Sequence, residues 1–170
     1  MKTTASKRPG SRVQPRSSDT ALRGTRLLGA GMLAAAGTAH IPVIPSHLRE
    51  APYIGVLFIL LTVACLGLAA ILTWRARTPA YAAAAIITGA AIVAYVLSRT
   101  VGLPMIEDDI GNWFEPLGVI SVVTEAAALL ICADRILKIG TAQSQQEVEG
   151  RPRLLHGMRK LTVKQHQRSA

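Results

Sequence analysis

Hydrophobic residues are gathered into four long runs along this chain, and polar residues fill the segments between and beyond them. The runs cover residues 27–44, 52–74, 79–99 and 114–134. Each is close to the roughly 20 mainly apolar residues that a membrane-spanning helix needs. Apart from residues at the ends of the runs, Glu125 is their one charged residue. The pattern predicts an all-α fold, an integral membrane four-helix bundle built by residues 23–138.

Prolines and glycines mark the expected ends of the helices. Pro42 and Pro45 are expected to end the first helix, because a proline inside a helix removes a hydrogen bond and clashes with the preceding turn. Pro52 fits the first turn of the second helix, where its missing N–H is not needed. Gly102 and Pro104 follow the third run and are a typical helix stop.

The first run also fits a secretory signal peptide. Basic residues precede an apolar stretch, and Gly37, Thr38 and Ala39 have the form of a cleavage site before His40. The basic segment would be unusually long for such a signal. Cleavage would leave three spans in the same orientation, so both interpretations stay open.

Lysine and arginine lie almost entirely outside the apolar runs. There are 19 of them against 10 acidic residues, which gives a formal net charge of +9. Seven precede residue 27, two follow the second run, eight lie from residue 135 onward, and the two other loops have one each. Cytoplasmic loops of membrane proteins are the basic ones. We therefore predict a multi-pass protein of a bacterial plasma membrane, with both termini in the cytoplasm and no nucleic acid as partner.

The two basic ends are predicted to lie outside the bundle. Residues 1–22 are polar and are expected to form a disordered tail. Residues 139–170 are expected to form a basic tail, either disordered or containing an amphipathic segment that binds anionic lipid. Apolar residues between Leu154 and Leu161 share one helical side, whereas Pro152 weakens a helix there.

Glu125 is the first candidate for chemistry. Helices rise about 1.5 Å per residue, so ten residues from Glu115 place it about 15 Å deep, near the centre of a bilayer. Thr62, Thr88 and Tyr95 are the hydroxyl donors predicted to lie nearest to it. An acid at this depth is expected to point into the bundle and to relay protons or bind a ligand. A purely structural hydrogen-bonded role fits the same residues.

A second candidate lies at the predicted outer face. His47 and Glu50 are three residues apart and share one side of a helical turn, with His40 a short proline-bent segment away. Two imidazoles and a carboxylate suit a divalent transition metal or a haem iron as cofactor. The spacing is no specific motif, and interfacial histidines without a ligand fit equally. Arg99 and Glu115, at facing ends of neighbouring spans, are predicted to form a structural ion pair.

Three stretches resemble a group of small four-span integral membrane proteins of actinobacteria. They are HIPVIPSHLREAPYIG, SRTVGLP and EPLG. The resemblance covers about residues 27–135. It implies a fold and a membrane location, and it assigns no catalytic residue.

No motif of a familiar enzyme class is found in the sequence, so an enzyme is not expected. Three functions remain. The first is a binding or sensing protein that uses the outer His/Glu face for a metal, a haem or a quinone. The second is an accessory or assembly subunit of a larger membrane complex, docked through its small-residue first helix. The third is a proton-coupled carrier built around Glu125, for which four helices would need a homo-oligomer.

Overall fold

The computed structural model describes the backbone of residues 17–75 and 77–166 and the side chains of residues 20–75 and 77–145. The α-helices are α1 (Ser17–His40), α2 (Ile44–Glu50), α3 (Pro52–Trp74), α4 (Thr78–Thr100) and α5 (Pro116–His166). Two short 3₁₀ turns, Ile41–Val43 and Glu107–Asp109, join them. Neither described range contains a β-strand, so the predicted all-α class is confirmed.

Four helical stretches are long and apolar enough to cross a membrane, as the sequence predicts. They are Thr20–Glu50, Pro52–Trp74, Thr78–Thr100 and Pro116–Gln145. Large apolar side chains face outward from them, and Val63, Ile86 and Leu130 are 66%, 71% and 70% exposed. A water-soluble bundle turns such side chains inward, whereas lipid tails solvate them. The outer surface of the bundle therefore suits a lipid environment.

The α-helix α1 ends at His40, two residues before Pro42, as predicted, but the span as a whole is longer than predicted. The helical path continues through the 3₁₀ turn and α2 to Glu50. Pro42 and Pro45 occupy the first turns of those two elements. Proline is tolerated there because the N–H groups of a first turn have no helical acceptor. The break comes instead at Ala51, which has a non-helical ψ of 83° and precedes the proline that opens α3.

Neighbouring helices along the chain are neighbours around the bundle. α1 packs on α3 and α5, and α4 packs closely on α5. The contact between α3 and α4 is the least extensive of the four. The main core is therefore built by all four long helices, and α4 reaches it mainly along its contact with α5. Its buried members include Leu33, Cys65, Leu72, Tyr81 and Cys132.

Small residues allow α1 and α3 to approach closely. A Cβ atom added to Gly37 would lie 3.1 Å from Cβ of Cys65 and 3.3 Å from the carbonyl oxygen of Thr62. On the opposite side of the bundle, a Cβ atom added to Gly118 of α5 would lie 2.9 Å from the ring of Tyr95 on α4. Because glycine has no side chain, the two helices of each pair can approach more closely than any other residue at these positions would allow.

Both ends of the chain differ from the predicted tails. α1 begins at Ser17, inside the segment 1–22 that was expected to be disordered, and residues 1–16 lie outside the described residues. α5 continues to His166, so the backbone of residues 139–166 is helical, as the amphipathic alternative requires and the disordered alternative does not. Extending an existing helix avoids the unfavourable nucleation step, and residues with good helix propensity follow the span directly. The side chains of the predicted lipid-surface segment lie outside the described residues.

Candidate functional site

A cavity of about 810 Å³ lies in the half of the bundle that contains α2 and the loop between α4 and α5. All four long helices contribute to its walls, and α3 and α4, the neighbouring helices with the least mutual contact, contribute more residues than the others. The volume falls in the range of roughly 300–1,000 Å³ that is usual for sites of small molecules. Apolar residues form most of the wall, among them Ile54, Leu57, Phe58, Leu61, Ile87, Ala91 and Val122.

His40 and Glu125 meet at this cavity, deep inside the bundle. His40 Nε2 lies 3.6 Å from Glu125 Oε1, and the two residues are 6% and 1% exposed. The sequence prediction had separated them, with His40 at the outer face. Because the first span continues to Glu50, His40 lies ten residues inside its end, just as Glu125 lies ten residues beyond Glu115. At 1.5 Å per residue, both lie at about the same depth of 15 Å.

Hydrogen bonding fixes the orientation of the His40 ring. Nδ1 lies 2.7 Å from the carbonyl oxygen of Ala36. A carbonyl oxygen can only accept, so Nδ1 carries a hydrogen and donates it. This leaves Nε2 directed at Glu125, whose Oε1 has no hydrogen-bond partner among the described residues. At 3.6 Å the two atoms are beyond hydrogen-bond distance, so Nε2 and Oε1 are two converging polar groups that a ligand or a small side-chain movement could connect.

The predicted hydroxyl donors do not bond to Glu125. Thr88 donates to the carbonyl oxygen of Ala84 on its own helix at 2.8 Å, and Thr62 donates across to Gly37 at 3.3 Å. Tyr95 donates to a backbone oxygen of the loop, that of Trp113, at 2.8 Å. Serine and threonine in helices commonly satisfy their hydroxyls on the preceding turn. Counting residues along each helix therefore indicates which hydroxyls lie at a similar depth to Glu125. It does not indicate which acceptor each hydroxyl bonds to.

His40, His47 and Glu50 all line the cavity, but they are not arranged as a set of three ligands for a metal ion. The ring of Phe58 packs against both imidazoles, with centroids 5.0 Å from His40 and 4.9 Å from His47. In the part of the chain that the structure describes, no group of three His, Cys, Asp or Glu side chains is arranged to hold a metal ion. His40, at the end of α1, faces Glu125 across the bundle, whereas His47 and Glu50 lie on α2. The predicted metal set is therefore not assembled, and haem binding at this face stays a prediction.

Arg99 lies beside the cavity and is engaged by two carboxylates. Its Nη2 lies 3.6 Å from Glu115 Oε2, so the predicted ion pair is present. A second carboxylate, which the sequence did not indicate, is closer: Nη1 lies 2.8 Å from Asp109 Oδ1. The guanidinium carbon also lies 4.9 Å from the centre of the Tyr95 ring. These contacts tie the loop between α4 and α5 to the end of α4.

The two prolines are the feature of the sequence on which the depth of His40 depends. Pro42 and Pro45 are spaced so that each opens a new helical turn, which lets the path run on to Glu50. Counting ten residues back from that end then reaches His40. The spacing of residues along the chain does not show, by contrast, that His40 of α1 faces Glu125 of α5 across the bundle.

Comparison with known proteins adds no relative. No protein-family model, no curated protein and no solved structure matches this chain. The functional argument therefore rests on the geometry of the bundle.

Proposed function

We propose that this chain is an integral membrane protein that binds a small molecule in the cavity between its helices. In this proposal the four long helices cross a bacterial plasma membrane, with both termini in the cytoplasm. The basic segments next to α1, between α3 and α4, and after the fourth span support that orientation. The cavity then opens toward the extracytoplasmic side.

The observation that carries the proposal is the buried pair at the cavity. A polar group removed from water costs free energy unless it is hydrogen-bonded. Glu125 Oε1 is enclosed and has no partner in the described structure, and Glu125 is one of the residues that line a cavity large enough for a small molecule. Intramembrane ionisable residues are expensive and are usually functional. An apolar cavity with a few converging polar groups is the usual form of a ligand site.

Thiol accessibility tests whether the cavity is open to the outside. Ala94 on α4 lines the cavity, whereas the adjacent Val93 faces outward and is 58% exposed on the outer surface. We would place a cysteine at each position in a background with both natural cysteines replaced by alanine. A membrane-impermeant thiol reagent is then added to intact cells. Ala94→Cys is expected to react at least about tenfold faster than Val93→Cys, because only the cavity holds water at that depth.

The matched positions make the result decisive. They lie on the same helix at nearly the same depth, so a difference in rate reports the cavity rather than the distance from the surface. Equal rates, or no reaction of Ala94→Cys, would contradict an extracytoplasmic cavity and with it the proposed function.

A further inference from the structure

We propose that the ligand of this cavity is an organic cation, an amine with an apolar body, whose ammonium group binds to Glu125. The inference rests on the proposed function, since it needs the cavity to admit a ligand. It goes further by naming the chemical class that the site recognises.

The first argument is the unmet hydrogen-bonding capacity of Glu125. An ionised carboxylate accepts hydrogen bonds and donates none. Its Oε1 is enclosed and without a partner among the described residues, and the nearest ring nitrogen, that of His40, is 3.6 Å away. An N–H donor that enters the cavity would supply the missing partner. A charged donor would supply a stronger, charge-assisted bond.

The second argument is the charge of the cavity lining. Five carboxyl-bearing residues line it: Glu50, Asp108, Asp109, Glu115 and Glu125. Among the described lining residues, Arg99 is the one lysine or arginine, and two of those carboxylates already contact it. The lining thus has an excess of acidic groups. The acidic groups would repel an anionic ligand, and Arg99 is already paired with carboxylates. A cationic ligand would be attracted.

The third argument is the apolar wall, which selects against a hydrated inorganic ion. Aliphatic side chains surround the approach to Glu125, and the Phe58 ring lies beside His40, the partner of Glu125. A small metal ion would have to give up bound water to enter, and aliphatic side chains cannot take the place of that water as ligands. In the described part of the chain, no group of three side chains is arranged to bind a metal ion either. The apolar wall does favour a hydrocarbon body, and an aromatic face attracts an organic ammonium.

His40 is a positioning residue in this proposal. Its Nδ1–H bond to Ala36 holds the ring so that Nε2 faces the carboxyl group of Glu125. A neutral imidazole can remain there beside a bound ammonium ion. An imidazolium would repel it, so binding of the cation favours the neutral ring.

Three probes with the same apolar body test the inference on the wild-type protein. Phenylbutylamine is cationic, phenylbutanol is neutral and phenylbutyrate is anionic at neutral pH. Each is titrated by calorimetry into the purified full-length chain in mild detergent, with empty detergent as the blank. The amine is expected to bind at least about tenfold more tightly than the alcohol, and the butyrate is expected to bind most weakly.

A pair of matched variants locates the binding site of the ammonium group. Glu125→Gln keeps the size of the side chain and removes its charge, and it is expected to weaken the amine about 10–100-fold while changing the alcohol less than about threefold. Glu50→Gln makes the same change at an exposed position of the same cavity and is expected to change the amine less than about threefold. If Glu125→Gln does not fold, the infrared carboxyl bands of the wild-type protein, with and without amine, give the second readout, and an unchanged spectrum overturns the inference.

The outcomes separate this inference from the proposed function. The amine and the alcohol could bind equally well, and Ala94→Trp, which fills the cavity, could abolish the binding of both. That result would overturn the inference that the ligand is a cation, and it would still support a ligand-binding cavity. Tightest binding of the butyrate, or an equal loss of amine affinity in Glu50→Gln and Glu125→Gln, would also overturn that inference. Failure of all three probes to bind overturns the named ligand class, and thiol accessibility at Ala94 then decides whether the cavity proposal falls too.

Discussion

The energetic coupling between His40 and Glu125 can be measured by a double-mutant cycle. His40→Asn keeps a side-chain N–H near the position of Nδ1, which can still donate to the carbonyl of Ala36, and it removes the nitrogen that faces Glu125. Glu125→Gln keeps shape and removes the carboxyl group. His40→Asn also removes the ring that packs on Phe58, but the double-mutant cycle subtracts this loss because it occurs with and without Glu125.

The 3.6 Å separation sets the expected size of the effect. Full ionisation of both groups at this distance would give an attraction of about 4–5 kcal/mol at an effective dielectric constant of 20, which is the upper limit for the pair. Desolvation of both groups offsets much of this attraction. We expect each single variant to lower the free energy of unfolding by about 1–3 kcal/mol. The double variant should lose less than the sum, with a coupling of about 1–2 kcal/mol.

The assay is reversible unfolding in mixed micelles, followed by circular dichroism, and the chain contains a matched control. Asp134 Oδ2 and Lys138 Nζ form an ion pair at 2.8 Å, four residues apart on α5, with side chains 46% and 67% exposed. Although this pair is shorter, its coupling should stay below about 0.5 kcal/mol because solvent screens it. A His40–Glu125 coupling free energy no larger than that of the control would refute the inference that burial strengthens the interaction between these two side chains.

Two further predictions concern packing and orientation. Gly37→Leu should destabilise the bundle by about 1–3 kcal/mol in the same unfolding assay, because its new side chain meets Cys65 at the α1–α3 contact. Gly31→Leu, on the same helix with nothing within 4 Å of an added Cβ, should be neutral or slightly stabilising, and equal losses at both sites would contradict the close approach. For orientation, an impermeant thiol reagent on intact cells should label Asp108→Cys and spare Arg77→Cys in a cysteine-free background. Reversed labelling would overturn the proposed topology.

The secondary structure followed from local chemistry. The second run was predicted over 52–74 and the helix is Pro52–Trp74, because a proline in the first turn and a change from apolar to basic residues bound it. The third run was predicted over 79–99 and the helix is Thr78–Thr100. The missed continuation of the first span had a local cause as well. Proline interrupts a helix in its interior but not in a first turn, and the two situations look alike in a sequence.

The chemistry of the site depended on the tertiary structure. Spacing placed Glu125 at mid-depth and ranked three hydroxyls as its donors, yet those hydroxyls bond to backbone carbonyl oxygens. A hydroxyl always has such acceptors within reach, so its identity and depth do not determine its partner. The histidine that does face Glu125 was assigned to a metal set at the surface.

The sequence by itself determined that the chain folds into apolar helices long enough to cross a membrane, since length, hydropathy and capping residues act within each segment. Only the tertiary structure decided that His40 meets Glu125, that α3 and α4 separate around a cavity, and that Asp109 shares Arg99 with Glu115. These outcomes depend on how each helix is rotated and bent against its neighbours. Close packing at small residues sets that rotation, and the contacts join positions far apart in the chain.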